Sequence, residues 1–168
     1  MDKTEFWKII DLARRAAGGD PEQQVEILME SLTKLAASAI VDFDRTFCEY
    51  HNRALCWNLW GAAHLIGGGC DDQGFADFRG WLISRGEKVY EAALADPETL
   101  TRIVEFDEAN CQIHGFQQAA ARAWAEVSSA KVDAFPRDAP APPSKPQGQA
   151  WSEDQLEARF PKLAEKFA

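Results

Sequence analysis

Residues 67–86 read GGGCDDQGFADFRGWLISRG. Three glycines, a thiol and two adjacent carboxylates are the raw materials of a phosphate cradle or a cation site. A phosphate loop follows its glycines with Lys and Ser or Thr, so that backbone amides and an ammonium share the anion. Here acids take the place of that lysine, and two carboxylates repel a phosphate. A dinucleotide-binding turn needs a preceding strand, and these glycines follow a helical pattern. The aspartates also lack the alternating spacing of a calcium-binding loop. What remains is conformational. Glycine supplies a left-handed exit from one helix, and Asp71 or Asp72 caps the next.

Arg79 resists a purely conformational account. On a helical wheel it falls within the apolar stripe formed by Phe75, Phe78 and Leu82. A guanidinium there must reach water or find a carboxylate, and Asp42 and Asp44 are the candidates on another helix. Upstream, Trp57, Trp60 and His64 stand at i, i+3 and i+7. They form either core packing or one wall of a pocket. The candidate ligand-binding set is therefore Trp57, Trp60, His64, Asp71, Asp72 and Arg79, with Arg79 as the anchor for an anionic small molecule.

Other constellations are weaker. Cys70 with His64 lacks a third orienting group or an oxyanion hole, as a catalytic dyad would require. Cys48 and His51 lie at i and i+3, and one such pair does not make a metal centre. Asp42 with Asp44 and Asp71 with Asp72 suit acid–base work only when buried. No catalytic residue, metal centre or cofactor is expected.

The elements that position these residues read as helices. Asp2 with Glu5, Asp20 with Gln23 and Ser152 with Gln155 are capping-box patterns. Steps of three and four run from Val25 to Phe47, predicting one long helix or two in line, with a break at Ser38. Residues 52–69 predict a helix apolar on two faces, hence central in the fold. The next helix ends at Gly86, a shorter one holds Val89 to Leu94, and Asp96-Pro97 opens another. Residues 104–115 read as loop and 116–130 as helix. Five of the eight prolines fall between Asp133 and Ala150, predicting an extended linker. Pro161 splits the remaining tail. The expected architecture is all-α: an irregular single-domain helical bundle over 1–130, a linker over 131–150 and a short helical tail over 151–168.

The 168 residues carry a net charge of −9, which opposes nucleic-acid binding and suits a basic protein partner. No apolar run approaches the length needed to cross a bilayer, and no signal-peptide core follows the start. Four cysteines without C-x-x-C spacing read as reduced thiols, placing the chain in the cytoplasm.

The FW pair at 6–7, LWGAAHLIGGGCDDQGFADFRGWLISRG at 59–86, DP at 96–97 and FPKLAEKF in the tail together resemble the bacterial domain-of-unknown-function family numbered 4240. The resemblance covers residues 4–128, with the tail similar in many members. It implies a small helical intracellular bacterial protein and carries no catalytic or cofactor-binding residue. Two functional readings follow. The first is a non-catalytic protein-interaction or regulatory binding module. The alternative is a small enzyme or anion-binding protein using the candidate set above.

Overall fold

The structure is a computed structural model that describes residues 1–105 and 111–168. It is an all-α fold; regular structure among the described residues is helical, apart from a parallel bridge between Cys56 and Gln147. Helix α1 (Lys3–Ala17) starts where the Asp2 side chain accepts from the Glu5 amide at 2.8 Å, and ends at Gly18 in the left-handed region. Helix α2 (Pro21–Thr33) starts on the Asp20 cap with proline in its first turn. The break before α3 (Ala37–Arg53) falls at residues 34–36, so Ser38 lies inside α3. Ala36 turns extended there and offers no side-chain cap, which is why the sequence pattern does not mark the break.

Helix α4 is shorter than expected. It spans Trp57–Gly67, and Asn52 and Arg53 belong to α3. The helical pattern runs on through 54–56, but a tertiary contact overrides it. Gln147 donates its amide to the Leu55 carbonyl and accepts from the Trp57 amide, each at 2.9 Å. That satisfies one of the amides that a helix start leaves without a partner. Helices α5 (Asp72–Ser84) and α6 (Glu87–Ala95) follow, then a 3-10 turn over Pro97–Arg102 where the Asp96-Pro97 helix was expected. Of the loop expected over 104–115, residues 106–110 lie outside the described residues. Turns lead on to α7 (Ala119–Ser128), whose buried Ala119, Ala120 and Ala123 let it lie close against α2 and α3.

The core is aromatic at its centre. Phe6 and Trp7 of α1 meet Phe43 and Tyr50 of α3 and Tyr90 of α6, with ring centroids 4.6–5.5 Å apart. The buried Tyr90 hydroxyl donates to the Tyr50 carbonyl at 2.7 Å, as a hydroxyl taken from water must.

The proline-rich segment runs as a strap over the body. Phe135 is buried edge-on to Trp124, Asp138 pairs with Arg45 at 2.6 Å, and Asn52 donates to the Pro140 carbonyl at 3.0 Å. The strap thus crosses α3 and delivers Gln147 to the start of α4. Helices α8 (Glu153–Arg159) and α9 (Pro161–Phe167) then fold back onto the body, burying Leu156, Phe160 and Leu163. Both halves of the Ser152–Gln155 capping box are present.

Candidate functional site

The glycine turn between α4 and α5 does what its sequence allows. Gly68 takes the left-handed conformation, and the Gly69 amide returns to the His64 carbonyl at 2.8 Å. Asp71 accepts from the Gly74 amide at 2.8 Å and so caps α5. Trp60 clamps the turn by donating its indole N–H to the Cys70 carbonyl at 2.9 Å.

The six candidate residues do not converge on one cavity. Trp57, Trp60 and Phe75 stack in a row, with centroids 5.4 and 5.0 Å apart. The tail covers the Trp57 end of this row. Trp151 sits edge-on to Trp57, lies 5.3 Å from the His64 ring, and donates to the Trp57 carbonyl at 2.7 Å. His64 Nε2 lies 3.7 Å from the Glu153 carboxylate, also in the tail. Asp72 is exposed in the first turn of α5. Arg79 is turned to the end of α3, where it donates to the His51 carbonyl at 2.9 Å, and it lies over the Phe75 ring. Neither Asp42 nor Asp44 is its partner. Asp42 pairs with Arg45 and the N-terminal amine, and the Cys48 thiol points at Asp44.

Of the six, Asp71 alone lines the cleft beside the glycine turn, a space of about 440 Å³ whose walls include Ile66, Cys70, Phe78 and Cys111. Asp71 is the one charged side chain among its described lining residues. Burial pushes the Cys70 thiol up to about 11, and the carboxylates of Asp71, Asp72 and Asp77 add to that push. The thiol therefore stays protonated at neutral pH and makes a poor nucleophile.

A second groove, of about 340 Å³, lies between α3, the start of α7 and the strap. Asp44, Phe47, Cys48 and His51 face it from one side of α3, opposite Gln117 and Arg137. His51 Nε2 is 2.9 Å from the Ala76 carbonyl of α5. A carbonyl only accepts, so Nε2 carries the proton and Nδ1 is left with a lone pair. Burial, then the charge of Arg79, lowers the His51 pKa to about 4, which keeps the ring neutral. Burial also raises Asp44 and pushes the Cys48 thiol up to about 11, while Arg137 pulls both the other way. No group of three or more His, Cys, Asp or Glu side chains is arranged to hold a metal ion among the described residues.

Residues 1–136 match the family described as protein of unknown function (DUF4240). The chain belongs to that family. No curated protein and no solved structure matches it. The DUF4240 match takes in both clefts' helical walls and stops one residue short of Arg137. It also excludes the tail that covers Trp57 and His64. No helix among the described residues is long and apolar enough to cross a membrane.

The second groove was only partly visible in the sequence. Asp44, Cys48 and His51 share one helical face, a pattern that the separate pairs Asp42/Asp44 and Cys48/His51 obscure. Gln117 and Arg137 carry no local signal, because only the fold brings them to α3.

Proposed function

We propose that this DUF4240 protein is a cytoplasmic, non-catalytic binding module that takes a basic protein segment at the cleft beside the glycine turn. The observation that carries the reading is the acidic side of that cleft: Asp71 lines it, and Asp72 and Asp77 stand close enough for their charges to act on the Cys70 thiol in its wall. Three carboxylates, Asp71, Asp72 and Asp77, act on that one thiol, and none of them has a basic side chain paired to it among the described residues. A lysine or arginine entering the cleft would meet Asp71 in its wall and gain at longer range from Asp72 and Asp77, and the net charge of −9 would steer it there. Catalysis has little to work with. The thiols of Cys70 and Cys48 are held protonated and His51 is held neutral, away from the range where groups exchange protons at pH 7. An anionic ligand would meet the same carboxylates, which argues against the small-molecule alternative at this cleft. Cysteines without redox or metal spacing fit a reducing compartment.

The test is NMR mapping with a lysine- and arginine-rich peptide of about a dozen residues. Amides of residues 67–74 should shift at low salt and recover as salt rises. Asp72→Asn with Asp77→Asn should weaken the peptide by roughly two- to fivefold for each charge removed. Shifts scattered over the whole acidic surface, or no shifts at all, would overturn the reading.

A further inference from the structure

The groove between α3, α7 and the strap shares no lining residue with the acidic cleft, and it differs in character. It holds one negative and one positive side chain that face the same space without touching. Arg137 is near enough for its charge to act on Asp44 and Cys48, yet it makes no ion pair and no hydrogen bond among the described residues. Oppositely charged groups left apart across a concave space are suited to a ligand that carries both charges itself.

The neutral groups sharpen the choice. Gln117 Nε2 donates to the Ala76 carbonyl and to Asp77 Oδ1, each at 3.3 Å, so its Oε1 is the end left to accept. His51 Nδ1 is also an acceptor, because Ala76 fixes the proton on Nε2. With Asp44, three residues that each keep an acceptor line the groove from α3 and from the turn before α7. An ammonium group has three donors. Arg137 presents a planar fork that matches a carboxylate. Phe47 and Val132 give the groove apolar surface for a hydrocarbon side chain.

We infer that this groove binds a free amino acid as its zwitterion, with the ammonium on Asp44, His51 Nδ1 and Gln117 Oε1 and the carboxylate on Arg137. The space of about 340 Å³ accommodates a molecule of that size. The apolar lining favours leucine, methionine or phenylalanine over charged side chains.

The full chain is titrated calorimetrically with each of the twenty standard L-amino acids. Leucine is compared with 3-methylbutylamine, which lacks the carboxylate, and 4-methylpentanoate, which lacks the amine. Saturable binding of at least one apolar amino acid is expected, with both one-ended analogues about tenfold weaker or more. Arg137→Gln, an exposed position on the strap, should weaken the amino acid about tenfold and leave the amine's affinity unchanged. Asp44→Asn should do the reverse, sparing the acid. Absence of saturable binding for all twenty at about 10 mM overturns the inference. An amine binding as tightly as the amino acid makes the groove a cation site, an acid doing so makes it an anion site, and either overturns it too. The acidic-cleft reading stands or falls separately, because its peptide shifts residues 67–74 and not α3.

Discussion

Arg79 is 7% exposed, and no carboxylate pairs with it among the described residues. Its charge is met by backbone. It donates to the His51 carbonyl in the last turn of α3, where four carbonyls lack intrahelical partners and the helix dipole is negative. It also reaches the Phe75 carbonyl at 3.4 Å and lies 5.1 Å from the centre of the Phe75 ring. Burial still lowers its pKa, so the site holds the guanidinium at a cost. Arginine reaches the two carbonyls from two separate nitrogens, Nε and Nη1, whereas lysine gathers its donors on one nitrogen at the chain end and has none at the Nε position that faces Phe75. Arg79→Lys should therefore lower stability by roughly 1–3 kcal/mol, and Arg79→Met by at least as much, in urea unfolding. An unchanged midpoint for Lys would remove the capping role. The sequence shows that this arginine sits in an apolar stripe. It does not show the partner, because a backbone carbonyl on another helix has no residue type to betray it.

At the scale of elements, helix boundaries set by local chemistry were legible. The aspartate caps and proline starts sit where their side chains require, and the glycine exits where the lack of one permits a positive φ. Boundaries set by distant chain were not: Gln147 truncates the start of α4 from ninety residues downstream. The two-faced apolarity of α4 does match a helix packed on two sides. One face packs inward through Leu59, Ala62 and Ile66, and the other receives the tail. Gly61 makes the second contact close. A Cβ there would lie 2.8 Å from Phe160 and 2.9 Å from Leu156. Alanine is an ambiguous probe, because the added methyl group also strengthens the helix by about 1 kcal/mol. Gly61→Leu exceeds any relaxation of two packed side chains and should lift α8 and α9 off α4. Limited proteolysis should then cut faster within residues 136–150, a segment that bonds to Arg45, Asn52 and Trp57 hold on the body. A digestion pattern matching the unaltered protein would mean that the tail accommodates the side chain.

Across the whole molecule, acid resistance depends on buried groups that must change charge. His51 is neutral in the fold, with a pKa near 4 against 6.5 in an open chain. Above pH 6.5 both states are neutral and nothing is lost. As pH falls from 6.5 to 4 the unfolded chain takes up the proton first, so stability declines through that window by up to about 3 kcal/mol. Asp44 acts in the opposite sense. Its raised pKa lets the fold bind a proton at higher pH than the open chain, which recovers some stability at the acid end. His51→Gln keeps a donor for Ala76 and removes the titration. Its urea midpoint should vary less between pH 7 and pH 4.5 than that of the unaltered protein, and an identical slope would show that His51 is not the acid-sensitive group.

The cover over α4 also has a schedule. Trp57 and the indole that donates to its carbonyl are 94 residues apart in the chain. A ribosome adding about 5–20 residues per second needs roughly 5–20 s to bridge that gap. For that interval the growing chain holds a helix whose Trp57 and Trp60 face has been made but whose lid has not. Helix formation itself takes microseconds, so the face is ready long before its partner exists. During synthesis the Trp57 face that the finished tail half-buries is an open apolar surface, available to a chaperone or a neighbouring nascent chain before Trp151 exists.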